Sequence, residues 1–385
     1  MARAGVKYAA SAGRARRRGR CEVRAGGNRL GIIMAQAKPA NTMKQLPCAR
    51  PARIAIAVIA LFLVSGTLSE QMPPIGIIDF YGLRRVPEAK VRAALGLKGG
   101  DMVPESRAAV EARLRAIPGV VAARLNLVCC DAGRTLLYVG IEEKGAATFQ
   151  FRPTPAGTVR LPAPILDAGE EFEKALMPAI EKGDTGEDES QGYALNHNPP
   201  LRAIEERYID FASRYRDNLR DVLHNSADGE QRALAAEVLG YARDRQAVVP
   251  DLEFAISDPE SGVRNNAMRA LALIGDFGLK HPTLGISVSP RPFVALLNSL
   301  VWTDRNKASF ALLRLSQTRD PQLMADFRAQ ALPALIEMAR WKNRGHAYAP
   351  YFLLGRVWGL PEKQIESAWA RNDLKFLLEA AQKSQ

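Results

Sequence analysis

The sequence is short of the residues that usually announce a reaction. It holds four His and four Cys in 385 residues. His197, His224, His281 and His346 stand far apart, and none pair at the spacing of about three to five residues that metal sites use. Beyond residue 69 there is no Gly-x-Ser-x-Gly, no P-loop and no dinucleotide Gly pattern. Gly96-Leu97-Lys98-Gly99-Gly100 ends a helical pattern instead of opening one, which excludes a phosphate cradle. These absences argue against a catalytic, cofactor or metal site. Cys129 and Cys130 are adjacent, and the other two, Cys21 and Cys48, lie in the leading segment, so neither a disulfide framework nor a zinc pattern exists.

Acidic residues are missing from the beginning. Residues 1–53 contain 13 of the 53 basic residues but only Glu22 among acids, which leaves 40 basic against 40 acidic side chains beyond. The net charge of +12 therefore belongs to the leading segment, and a basic footprint for nucleic acid is not expected on the folded body. Long hydrophobic runs are missing too. The uncharged stretch 54–69 has sixteen residues, eleven of them a continuous apolar run at 54–64. A membrane-spanning helix needs about 20 residues. Basic residues, an apolar run and the small residues Ser65, Gly66, Thr67 and Ser69 form a secretory signal, with cleavage suited to Gly66 or Ser69. The expected organisation is a leader at 1–42 and a signal at 43–69, with Met34 and Met43 both candidate true starts and Met43 giving the compact basic segment Lys44, Arg50 and Arg53. An uncleaved anchor and an organelle transit peptide are the alternatives. The protein is expected to be exported, periplasmic or envelope-associated, touching the membrane only through the signal.

Residues 75–145 alternate in a readable order. A β-rich run at 75–82 closes on Gly82; two helical patterns follow, from Pro87 to the Gly99-Gly100 stop and from Pro104 to Pro118-Gly119. Two alternating runs, 121–128 and 135–142, flank the hairpin signal Asp131-Ala132-Gly133. The order β-α-α-β-β resembles a POTRA (polypeptide-transport-associated) domain. The resemblance rests on residues 77–82, Gly100-Asp101, Ile117-Pro118-Gly119-Val120 and the strand ending at Glu142-Glu143. It implies a module that docks partner chains, sometimes by strand addition, although no membrane β-barrel pattern follows. In the second strand Leu125, Leu127 and Cys129 share one face, with Arg124, Asn126, Val128 and Cys130 on the other. Arg124, Asn126 and Val128 are the expected partner-binding edge, with Asn126 facing outward. The same alternation predicts one packed and one exposed thiol; a vicinal disulfide would have to kink the strand end.

Residues 146–200 carry seven prolines and the acidic stretch Asp184-Thr185-Gly186-Glu187-Asp188-Glu189, which reads as a solvated linker with a short helix near 170–181. From 201 to 380 the pattern is helical and self-similar. Arg232, Ala235 and Leu239 recur as Arg264, Ala267 and Leu271, then as Arg305, Ala308 and Leu312, and less completely as Arg344 and Ala347. Small Ala would let helices approach, Leu would fill the layer, and Gly240, Gly275 and Gly355 would close the helices. A helix pair every 30–45 residues is the period of an α-solenoid. The stretch 258–271, with Val263-Arg264-Asn265-Asn266-Ala267, resembles HEAT repeats, in which the Arg is structural.

The fold class expected is therefore an α+β module followed by an all-α HEAT-like solenoid. The function expected is a non-enzymatic protein-binding scaffold with no cofactor and no nucleic acid. The alternatives are an accessory factor of envelope protein transport or assembly, and an enzyme with a site embedded in the solenoid.

Overall fold

The structure is a computed structural model and describes residues 72–383. The leader, the apolar run and the cleavage positions lie outside the described residues.

The first module comprises β1 (Ile75–Tyr81), α1 (Glu88–Leu95), α2 (Arg107–Arg115), β2 (Val120–Asp131) and β3 (Arg134–Glu143). Gly96 ends α1 in the left-handed region, and the Ser106 side chain caps α2 by accepting from the Ala109 N–H. β3 lies in the middle of the sheet, parallel to β1 and antiparallel to β2. Val91, Leu95, Val110 and Leu114 of the helices cover one face, against Ile78, Leu125, Leu137 and Val139. The opposite face is covered as well. Tyr81, Leu136 and Tyr138 belong to a larger core built by the helical region. β3 is consequently buried without interruption from Thr135 to Ile141, as strands covered on both faces are.

Cys129 and Cys130 are joined as a vicinal disulfide. The expectation of a packed and an exposed thiol assumed regular pairing to the strand end, but pairing with β3 slips between Val128 and Asp131. The alternation rule does not hold across that slip.

The helices are α3 (Ala163–Lys182), α4 (Pro199–Arg214), α5 (Arg216–Asn225), α6 (Gly229–Leu239), α7 (Val249–Ala255), α8 (Ser261–Lys280), α9 (Arg291–Leu296), α10 (Trp302–Leu315), α11 (Pro321–Asp326), α12 (Leu332–Ala339), α13 (Arg344–Val357), α14 (Glu362–Ala370) and α15 (Leu374–Lys383). The recurring line falls on α6, α8, α10 and α13, each in contact with the next. Ala235, Ala267, Ala308 and Ala347 are buried, as are Leu239, Leu271 and Leu312. Gly240 ends α6 as expected, in the right-handed region, whereas Gly275 and Gly355 lie inside α8 and α13 and are not helix stops. A Cβ at Gly275 would stand 2.3 Å from Leu315 Cδ2, and one at Gly355 would stand 2.5 Å from Ile365. What these positions require is a missing side chain where a neighbour packs.

The recurring arginines form a ladder. Arg232 donates to the Ser226 carbonyl at 2.8 Å and, through two nitrogens, to Asp258 at 2.9 and 2.8 Å. Arg264 repeats this on the Asp258 carbonyl at 2.7 Å and on Asp304 at 2.9 Å twice. Arg305 donates to the Ser299 carbonyl at 2.6 Å and reaches toward Glu337, 3.6 Å away. Each arginine thus holds the carbonyl six residues before it and a carboxylate of a later segment. The bidentate geometry and complete burial make the first two rungs strong and intolerant of losing one partner. Arg344 departs from the pattern. It is exposed, donates to the Trp369 carbonyl at 2.7 Å and lies over the Trp369 ring.

Residues 146–162 form no solvated linker. The Arg152 N–H bonds the Ser257 carbonyl, its guanidinium lies 3.2 Å over the Phe254 ring, and the Leu161 N–H bonds the Gln231 side chain. Gly157 exchanges backbone bonds with Asn225 and Ala227. Extended chain has backbone groups to pair, and helix ends leave theirs unpaired, so the two satisfy each other. The helix expected near 170–181 begins earlier, at Ala163, and Ile165 and Ala168 enter the core.

The sheet module sits on the solenoid through an aromatic seam. Tyr138 stacks on Trp302 with ring centroids 4.8 Å apart and meets Trp341 at 5.1 Å, and its hydroxyl is 2.6 Å from His346 Nδ1. The Tyr81 hydroxyl donates to the Leu300 carbonyl at 2.6 Å. A Cβ at Gly140 would stand 2.7 Å from the Tyr81 ring and 2.9 Å from that carbonyl, so the contact needs glycine there. His346 and the two tryptophans are therefore packing residues.

Two outcomes follow. Arg264→Ala strands the buried Asp304 and should cost about 3–5 kcal/mol, Ala267→Leu about 1–3 kcal/mol by overpacking, and Arg344→Ala less than about 1 kcal/mol. Urea denaturation measures this, and equal losses at Arg264 and Arg344 would contradict the ladder. Burial pushes the His346 imidazole down to about 4, against a smaller opposing effect of the Asp131 charge. The unfolded chain, with a His near 6.5, binds this proton first, so stability is complete above pH 6.5 and falls as pH drops toward 4. The loss is about 3 kcal/mol for this group. Stability measured against pH in His346→Gln should lack that component; an unchanged pH slope would refute it.

Candidate binding surfaces

β2 lies at the edge of the three-stranded sheet. Its free side is set by one bond: the Leu125 N–H donates outward to Glu111 of α2 at 2.8 Å. Antiparallel pairing alternates, so the backbone groups of Ala123, Leu125 and Leu127 point away from β3, and those of Arg124, Asn126 and Val128 point toward it. The placement expected for Arg124, Asn126 and Val128 therefore needs correction. Asn126 faces the solenoid: its amide donates to the Tyr81 hydroxyl at 2.9 Å and accepts from the Trp302 N–H at 3.2 Å. Val128 packs against the large core, and only Arg124 is exposed. Asn126 clasps two parts of the protein together and keeps no edge soluble. Alternation showed that the three residues share a face, but a single strand carries no signal for which face a distant helix covers.

A second surface lies on α8 and α10. Arg269 and Asp276 are two turns apart on α8, and Lys307 and Arg314 are two turns apart on α10, so each pair shares a helix face. The acidic stretch expected to be solvated lies across them. Glu187 pairs with Arg269 at 2.5 Å, and Glu189 takes both Arg314 nitrogens at 2.7 and 3.0 Å. Glu187–Asp188 forms β4, which pairs with β5 (Leu195–Asn196). Arg314 also lies 3.7 Å from Asp276. Lys307 is half-buried and has no hydrogen bond or ion pair among the described residues. Burial, with the Arg269 charge adding to it and the Glu187 charge opposing, pushes its ammonium down to about 8. Arg269 and Arg314 were visible in the sequence only as scattered charges, because their acidic partners lie 82 and 125 residues away.

Elsewhere a shallow cleft of about 390 Å³ is lined by Asp217, Arg220, Asp221, His224 and Asn225. His224 Nε2 is 2.9 Å from Asp251, which also takes Arg220 at 2.7 Å, and its ring stacks on Phe254. These contacts hold His224 beside the Arg220–Asp251 ion pair and against an aromatic ring. Among the described residues no group of three or more His, Cys, Asp or Glu side chains is placed to hold a metal ion. No described helix is long and apolar enough to cross a membrane.

No curated protein matches the chain. Residues 216–282, which span α5 to the end of α8, match the HEAT repeats family, whose members are typically protein-interaction scaffolds.

Proposed function

We propose that the protein is an exported, non-enzymatic scaffold that binds other proteins, with a POTRA-like module mounted on a HEAT-like solenoid. The observation that carries this reading is the stack of α6, α8 and α10, held by the arginine ladder and overlapping the HEAT repeats match at residues 216–282. Such stacks present extended side-chain surfaces to partners. The POTRA-like reading is supported by the β-α-α-β-β order. Export is supported by the basic segment followed by the apolar run at 54–64.

The edge position of β2 favours a narrower role in envelope protein transport or assembly. A strand whose outward backbone groups at Ala123, Leu125 and Leu127 face away from the sheet can accept an added strand, provided Glu111 releases Leu125.

Crosslinking and pull-down of the full chain from a native envelope fraction tests both readings. Ala123→Pro removes an outward N–H and spares the β3 ladder, a position where edge strands tolerate proline. Strand addition predicts a loss of about tenfold in captured partner for Ala123→Pro, with helix content unchanged. Equal capture moves binding to the solenoid, and no specific partner for either protein overturns the scaffold.

A further inference from the structure

The surface of α8 and α10 suggests what chemistry the scaffold recognises. We infer that Arg269, Lys307 and Arg314 form a docking site for an acidic polypeptide segment of a partner, and that the chain's own 184–190 segment occupies it as an internal competitor. The inference rests on the scaffold reading and names the partner's chemistry.

Three observations carry it. The site is already seen with an occupant of the stated kind: Glu187 and Glu189 lie on Arg269 and Arg314 as a carboxylate-bearing extended peptide would. Bidentate contact by Arg314 is the geometry that selects carboxylate. The occupant also leaves the site partly unused. Lys307 stands beside Arg269 and feels the Glu187 charge without a hydrogen bond or ion pair to it among the described residues, so a segment carrying one more acid would gain a direct contact that residues 184–190 do not make. Finally, the occupant is built to lift at one end only. Tyr193, Ala194, Leu195 and Asn196 are buried, and Asn196 is fixed by Glu205 through bonds of 2.6 and 2.9 Å. Asp184, Gly186, Ser190 and Gln191 are exposed, and β4 is two residues long. The acidic arm is held by the short β4–β5 pairing, by the His197 N–H on the Gly186 carbonyl, by Asn198 on Asp184 and by partly exposed ion pairs, of which the ion pairs weaken in salt. A partner segment competes for the same cations while the buried arm stays in place.

The probe is a fluorescent peptide copying residues 184–190, titrated into the full chain at low salt and followed by anisotropy. The basic residues before position 54 contribute equally to every variant, so differences between variants are read. Glu187→Gln with Glu189→Gln removes the internal competitor and should tighten binding about tenfold. Lys307→Gln, which touches no ion pair of the acidic arm, should weaken binding about threefold with an unchanged melting temperature. Arg269→Gln with Arg314→Gln should abolish the difference made by the competitor. Added peptide should also speed hydrogen exchange at residues 184–191 but not at 193–196.

Binding unaffected by Lys307→Gln, or not tightened in a folded Glu187→Gln/Glu189→Gln protein, would overturn the inference. So would tighter binding of a single-stranded oligonucleotide of equal charge. If the Arg269/Arg314 variant still captures its partner from the envelope fraction, this site fails and the scaffold reading survives. If no form captures one, both fail.

Discussion

One buried charge ladder ties the parts of this protein together. Its continuity comes from Asp258 being used twice: its carboxylate receives Arg232, and its backbone carbonyl receives Arg264. Asp304 then receives Arg264 and the Ser299 hydroxyl, and Ser299 offers its carbonyl to Arg305. Arg305 lies 4.5 Å over the Tyr81 ring and near Glu337, which also accepts from the Gly82 N–H and pairs with Arg84. The ladder that begins in α6 thus ends in the sheet module. Each buried charge is compensated only while its neighbour is in place, so the repeats constrain one another in register.

That constraint explains why the sheet lies where it does. A three-stranded sheet with two helices buries one face and leaves the other apolar, here with Leu136, Tyr138 and Tyr81. The solenoid supplies the cover through Trp302, Trp341 and His346 at the starts of α10 and α13 and the end of α12. Polar groups at the seam are matched by Asn126 and by Lys342, whose N–H and ammonium bond Asp79 and the Ile78 carbonyl. With that face used internally, the partner contacts we propose fall on the β2 edge and the helix surfaces.

Much of this was legible in the sequence, and the failures have a common cause. The element order and the positions of Arg232, Arg264 and Arg305 follow from local periodicity and from recurrence. Arg344 shares the recurrence but not the environment, because a repeat line states spacing and says nothing of the carboxylate that must meet it. Gly275 and Gly355 looked like helix stops because a glycine that permits a turn and one that permits contact read alike. The 146–200 segment looked solvated because its prolines and acids are local features, whereas Ser257, Arg269 and Arg314, which bind it, are remote. Long-range complementarity was the missing information each time.

The central claim is that the ladder and the aromatic seam make the sheet module and the solenoid one cooperative body. Native-state hydrogen exchange with increasing urea tests it most directly, by comparing amides of β3 with amides of α8. The account predicts that both exchange through the same global opening, with equal free energies and equal urea slopes. Exchange of β3 at a distinctly lower free energy while α8 remains protected would contradict it, because the module would then open without the solenoid.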